Sequence, residues 1–426
     1  MTLRPDRVRA LAGRFAVFVA VPALTSFVPL LALPGVTSVA GASGWAAVAI
    51  GQSVGAAGAV VTELGWGLTG TVRVGRQSEA AARRLLAWSL ATKSLAVLAV
   101  MPVAAGAAAL LAPAHRPEAA AIAGVGALSS VNAVWFYIGR GDPRRLLLLD
   151  ALPRTLCGVG SAVLLLHGAP LWIFVLGVGV PALTAPVLAV RAVGLRRTDC
   201  VGMTSRRLLQ VIAMQRMALA GRAVSSVYIA LPVTLVAAVA PTAVVASFAA
   251  ADRLQRMILT GLQALPNTIQ HWVGSSPDLT TRLTRARRAC VATVLLGAVV
   301  GSGLVVLAPT VSRWLFSDSA SVTRPEAVFC AGIITVVSGS RITGGVILVV
   351  LRRVRSITVS ASVGACVGIV AVPVGAATHG VAGALAGTLL AELAVLGVQL
   401  DAARRGWASA SARGRASGGS RGSRRP

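Results

Sequence analysis

Apolar runs of about twenty residues recur twelve times along this chain of 426 residues, separated by short neutral turns or by clusters of arginine. A run of that length matches a bilayer's hydrocarbon core, about 30 Å thick, once wound into a helix rising about 1.5 Å per residue. Inside the bilayer each backbone N–H and C=O must find its partner within the protein, and a helix provides one for every residue. The pattern predicts an all-α polytopic membrane protein with about twelve transmembrane helices. Their expected positions are 14–34, 42–66, 86–112, 119–139, 146–167, 170–191, 212–239, 242–268, 289–312, 326–350, 356–377 and 381–400. The composition agrees, with 12% charged residues against about 25% in soluble domains.

The arginine clusters orient the chain. With alternate loops placed inside, thirty of the forty Lys and Arg fall in cytoplasmic segments, three outside (Arg116, Arg313, Arg324) and seven within spans. A bias of that size predicts a multi-pass protein of the cell membrane with both termini in the cytoplasm. It also accounts for the net charge of +27 without nucleic acid, which such a charge would suggest in a soluble protein. The Gly/Ser/Arg-rich tail, 406–426, reads as a disordered cytoplasmic end, either solvated or lying along anionic lipid headgroups. The basic stretch 1–14 and the apolar run after it have the outline of a signal peptide, with Ala40-Gly41-Ala42 as a cleavage site. The run is long for a signal and many more follow, so it is read as a retained first span.

Several chemistries find no support. The largest outside loop, 312–325, is too short for an enzyme domain. The single lysine, Lys93, lies outside any P-loop context, so nothing here would hydrolyse ATP. The four histidines are far apart and the five cysteines scattered, which supports neither a metal site nor a disulfide framework. No cofactor is implied.

The stretch 241–267 is the most informative. It is long enough to cross a bilayer, yet Asp252 lies roughly 17 Å from Pro241 along a helix axis, near the middle of the core. Asp252, Arg253, Arg256, Thr260, Gln263 and Asn267 fall within about 100° of one another, as one polar stripe. Each charge at that depth costs at least ~2.5 kcal/mol, so the stripe should face a wet cavity or a partner helix. The expected arrangement is a transporter whose helices surround a cationic cavity. In the plainer alternative Asp252 and Arg256, four apart, neutralise each other and only fix helix packing.

The halves share landmarks in the same order. Arg83-Arg84, Ala112-Pro113, Glu118, Arg144-Arg145 and His167-Gly168 are followed by Arg287-Arg288, Ala308-Pro309, Glu326, Arg352-Arg353 and His379-Gly380. Together they predict two six-helix bundles, 1–200 and 201–405, which would place a binding cavity between them and permit rocking. The other basic residues within spans are Lys93, Arg154, Arg216, Arg222 and Arg341; the acids are Glu63, Asp150, Asp252 and Glu392. Arg341 lies about 16 Å from the inner cluster at Arg352 and is deep. Lys93, Arg154 and Arg216 lie near enough to the inner surface to snorkel there.

Three stretches carry a family resemblance. SGWAAVAIGQSVGAAGAVVTELGWGL (43–68), SSVNAVWFYIGRGDPRRL (129–146) and YIALPVTLVAAVAPTAVVASFAAADRLQRMILTGLQALPNTI (228–269) resemble the second, the fourth, and the seventh and eighth helices of Wzx-type polysaccharide flippases. Those belong to the multidrug/oligosaccharidyl-lipid/polysaccharide (MOP) exporter superfamily. The resemblance implies two bundles in a MATE/MOP-like fold and export of a polyprenyl-pyrophosphate-linked oligosaccharide. Its partners would be that anionic lipid-linked glycan, membrane lipids and polysaccharide-assembly proteins.

On this reading Arg253, Arg256, Arg341, Arg222, Asp252, Gln263, Lys93 and Arg154 are the candidate substrate-binding residues, arginine being suited to bidentate phosphate contacts. Asp252 and Glu392 are candidates for ion coupling. Two alternatives stay open: a cation-coupled small-molecule exporter of the same superfamily, and a membrane-embedded polysaccharide polymerase or ligase. The drug-exporting MATE branch often has a coupling acid in its first helix, where this chain has only Thr25 and Ser26 as polar side chains. Lipid II flippases of the superfamily usually have fourteen helices rather than twelve.

Overall fold

A computed structural model describes residues 31–215, 231–263, 279–316, 320–351 and 353–419, with Val28, Ile269 and Val273 singly. The described residues form helices and turns, with no strand among them. By contacts they divide into two compact units, one of Met1–Ala250 with Thr310–Ser321, the other of Ala251–Pro309 with Val322–Pro426.

In the first unit α1 spans Leu33–Glu63 and bends at Gly41, whose φ of 60° and ψ of −159° suit glycine alone. It ends where Leu64 and Gly65 turn left-handed (φ 55° and 75°), and α2, Trp66–Val74, follows. Next come α3 (Glu79–Leu111), α4 (Arg116–Leu128) and α5 (Val134–Arg140). The expected span at 119–139 is thus two helices. Asn132 makes the break, donating to Ser129 O (2.8 Å) and accepting from Val134 N (3.1 Å), which gives the chain a local alternative to helix. Pro143–Leu166 is α6, with a π-turn at Leu147–Ala151, and α7 is Trp172–Val193.

Glycine sets a close crossing between α1 and α4. A Cβ on Gly51 would stand 2.7 Å from Ala119 O, and one on Gly126 would stand 2.6 Å from Gly55 Cα. The Gly51-xxx-Gly55 pair on α1 is the small-residue spacing by which membrane helices approach backbone to backbone. An aromatic core lies at one end, where Trp66 and Trp135 stack at 5.7 Å and Trp66 Nε1 donates to Thr92 Oγ1 (3.1 Å).

After α7 the chain forms a 3₁₀ turn, Arg197–Cys200, and α8, Ser205–Met214. Asp199 is buried in this connector. Its carboxylate accepts from Arg196 N (2.9 Å) and from Arg83 Nε of α3 (3.4 Å). The Arg196 amide, and then the Arg83 guanidinium, hold its pKa below the ordinary 3.8 against the opposing effect of burial. The unit also holds α9 (Pro232–Ala237) and the start of α10 (Thr242–Gly261).

The second unit contains the rest of α10, most of α11 (Leu279–Phe316), α12 (Arg324–Val350, with a π-turn at Thr343–Ile347) and α13 (Val354–Gly419). The cluster Arg282–Arg288, expected in a loop, is helical within α11. At the start of α12 Thr323 and Glu326 form a capping box, Thr323 N donating to Glu326 Oε2 (2.7 Å). The last helix turns at His379-Gly380, Gly380 having φ 59°. Its backbone runs on to Gly419, through the stretch whose composition predicts disorder.

Among the described residues, seven helical segments are long and apolar enough to cross a membrane. They differ from the expected twelve spans for identifiable reasons. The last, Arg355–Trp407, has 53 residues, over twice the ~20 of one crossing. The segment at 119–139 is broken, and α10 carries three charges. The spans expected at 14–34 and 212–239 lie largely outside the described residues. Large apolar side chains such as Leu98, Leu110 and Val306 are 70%, 86% and 72% exposed, as a lipid-facing surface requires.

Candidate functional site

Up to Ala251, α10 is built of small and β-branched apolar residues, and Ala246, Phe248, Ala250 and Ala251 are fully buried. The helix then places Asp252 in the same buried setting, where two neighbours satisfy its carboxylate. Arg256 Nε donates to Oδ2 (2.6 Å) and Gln255 Nε2 to Oδ1 (3.1 Å). The spacing that puts Asp252 and Arg256 on one face therefore makes an ion pair, as the plainer reading of the sequence expects. Arg253, about 100° round the helix, differs: its Nε is buried without a hydrogen-bond partner. Gln255 Oε1 is likewise unpartnered.

A second helix adds to this group. Arg341, in α12 just before the π-turn, donates from Nη1 to Leu259 O of α10 (2.6 Å). That carbonyl lies one turn beyond Arg256, so the guanidinium of Arg341 joins the charged stretch of α10. Glu392 of α13 supplies a carboxylate whose field acts on Arg341. The neighbouring polar set is ordered too, with Ser340 Oγ donating to Gln399 Oε1 (3.2 Å) and Gln399 Nε2 to Ser360 Oγ (3.3 Å). The second unit thus collects Asp252, Arg253, Arg256, Arg341 and Glu392. Thr260 bonds back to Arg256 O (2.8 Å), and Gln263 is exposed just past the end of α10.

Two further candidates belong to the first unit. Lys93, on α3 in the first unit, is wholly buried instead of reaching toward a surface. Its Nζ donates to Ser130 O (3.0 Å) and Asn132 O (3.5 Å), carbonyls set free by the break between α4 and α5. Arg154, on α6, holds Asp150 along one edge, Nε to Oδ2 (3.1 Å) and Nη2 to Oδ1 (3.0 Å). It also lines a cavity of about 260 Å³ with Gln52, Ser129, Ser161 and Phe174. The sequence contains no signal for this cavity, because its walls come from α1, α4, α6 and α7 together. Arg222 lies outside the described residues.

No known family profile matches the sequence. No curated protein sequence matches it either. Solved structures do. An inward-facing multidrug-resistance MATE transporter of the MOP superfamily superposes with a TM-score of 0.67 at 16% identity, covering 90% of this chain and 95% of that one. The fold is that of the MOP-superfamily transporters. The lipid II flippase MurJ, in an inward closed conformation, gives 0.61 at 11% identity over 93% and 87% of the two chains. A MOP-superfamily transporter from Pyrococcus furiosus, described as having a binding pocket of reverse polarity, gives 0.51 at 14% identity over 93% and 96%. With its seven apolar helical segments, this fold makes the chain a multi-pass membrane protein.

Proposed function

We propose that the chain is a flippase of the Wzx kind. It moves an anionic lipid-linked oligosaccharide from the inner to the outer leaflet of the cell membrane by alternating access between two bundles of six helices. The observation that carries this reading is the group on α10, α12 and α13. Three guanidinium groups (Arg253, Arg256 and Arg341) stand against two carboxylates (Asp252 and Glu392) in helices that are otherwise apolar. A pyrophosphate offers the bidentate acceptor geometry that such arginines recognise. Asp252 and Glu392 would couple an ion to the cycle, and Gln263 with Arg222 would extend the polar path. The arginine bias supports cytoplasmic termini, and polysaccharide-assembly proteins would act on either side of the step.

A second reading, a cation-coupled small-molecule exporter, is favoured by the likeness to the MATE transporter. The cationic excess on α10 and α12 weighs against cationic drugs as its cargo. Depletion of the protein followed by analysis of lipid-linked glycan separates the two. Glycan should accumulate on the inner leaflet, and the defect should be cured by the wild-type chain but not by Arg253→Ala combined with Arg256→Ala. Normal glycan export in the depleted strain would reject the flippase.

A further inference from the structure

We infer that the cavity of the first unit binds an amphipathic anion, a phosphate or carboxylate on a short hydrocarbon body. All of its lining residues belong to the first unit, and the inference does not rest on the flippase reading. The cavity's volume of about 260 Å³ exceeds the ~150 Å³ that suffices for benzene and falls just below the ~300 Å³ at which small-molecule sites begin. It therefore suits a single short apolar segment and is too small for an oligosaccharide. Ile122, Phe174 and Pro181 supply apolar wall. The polar groups are few, and what they can still bond to defines the ligand.

The hydroxyls of Ser129 and Ser161 already donate to carbonyls of their own helices, Gly126 O (2.6 Å) and Gly158 O (2.9 Å). A guanidinium has five N–H donors. Arg154 directs two of them at Asp150, which accepts on both oxygens and is not among the lining residues. Arg154 and Gln52 are thus the lining side chains with donors left to offer, and the carboxylate of Asp150 is held outside the lining. Asp150 fixes the guanidinium in place through a two-point contact. Arg154 lies roughly 12 Å along α6 from Leu146, the expected start of its span, and so inside the hydrocarbon core, where an unmet donor is expensive. The group that meets it must bring acceptor oxygens, and its body must be apolar.

The test uses the full chain in zwitterionic nanodiscs, with equilibrium binding of geranyl phosphate, octanoate and octyltrimethylammonium. One of the two anions should bind saturably at one per chain, and the ammonium should not. Preference for geranyl phosphate would identify an isoprenoid carrier as the source of the ligand, and preference for octanoate a free acid; either supports the site. Arg154→Gln should weaken anion binding ~10- to 100-fold, the effect of losing hydrogen bonds from a charged donor. Ala56→Leu should weaken it while leaving the charge in place, because Ala56 lines the cavity. Gly160→Ala, also on α6, adds a methyl into open space and should bind like wild type. Asp150→Asn with Arg154→Gln removes both charges, so loss of binding there excludes misfolding around an unpaired Asp150. Preferential binding of the ammonium, or anion binding untouched by both Arg154→Gln and Ala56→Leu, would overturn the assignment.

Discussion

Nine residues beyond Arg84, α3 carries Lys93; nine residues beyond Arg288, α11 carries Gly297. Each meets a serine fourteen residues into a segment that opens with Arg-Pro-Glu-Ala, Ser130 after Arg116 and Ser338 after Arg324. The outcomes differ. Around Lys93 the helix is broken, α4 ending at Leu128, and the ammonium bonds Ser130 O at 3.0 Å. Around Gly297 the helix is continuous, Ser338 Oγ bonding Ile334 O (2.7 Å) and α12 running on to its π-turn. A buried ammonium needs acceptors, and only a broken helix has carbonyls to spare. Glycine makes no such demand and lets the two helices touch. A Cβ at 297 would stand 2.8 Å from Ser338 Oγ and 3.0 Å from its Cβ. At matching places after the two Arg-Pro-Glu-Ala openings, the break that Asn132 makes leaves carbonyls that the Lys93 ammonium takes up, whereas α12 beside Gly297 stays continuous.

Exchanging the two solutions should expose the difference. The largest effect is expected from Gly297→Leu, which forces α11 away from α12 where Thr335 Cα is also only 3.3 Å from the added Cβ. Overpacking of this kind costs about 3 kcal/mol and should appear as a clear drop in thermal unfolding temperature in detergent. An unchanged temperature would show that the helices are free to part. Next is Lys93→Met, which keeps the apolar stem but leaves the carbonyls of Ser130 and Asn132 without the ammonium. The expected cost is about 2 kcal/mol, with faster amide exchange at 129–134. If exchange there stays as slow as in wild type, Asn132 alone maintains the break.

These residues also show which parts of the chain were legible. The charges of α10 could be read because an acid and two arginines inside an apolar run have few explanations. Their pairing could be read from spacing, since residues four apart share a helix face. The fate of Lys93 could not. Its position near a span end suggested snorkelling, and its true partners are backbone carbonyls some forty residues away that exist only because the facing helix is broken. The Ser-Ser-Val-Asn sequence at 129–132 did mark that break, but the apolar residues on either side favoured one continuous span. The Gly51-xxx-Gly55 and Gly297-xxx-Gly301 spacings were equally visible, yet the crossings they serve need a partner that no local pattern names. The cavity beside Arg154 is harder still, being empty space bounded by four helices.

The mildest expected effect lies at the paired arginines, where the halves also differ. Arg83, the first of the Arg83-Arg84 pair, meets Asp199 of the connector at 3.4 Å, whereas Arg287 and Arg288 have no acidic partner among the described residues. The carboxyl of Asp199 is held below its ordinary 3.8 by the Arg196 amide and then by Arg83. A carboxyl depressed in the folded state stabilises above its unfolded value and ceases to do so as pH falls through the folded value. The anchor should therefore be complete at neutral pH and let go only in acid below about 3.8. Cys200 is exposed and adjacent, so a fluorescent label on a variant keeping it as the sole cysteine reports the connector directly. Its anisotropy should stay high from pH 8 to about 4 and fall below that, while Asp199→Asn should hold it low throughout. A label equally immobile in Asp199→Asn would mean that the 3₁₀ turn and α8 dock by packing alone, and the two arginine pairs would then be equivalent.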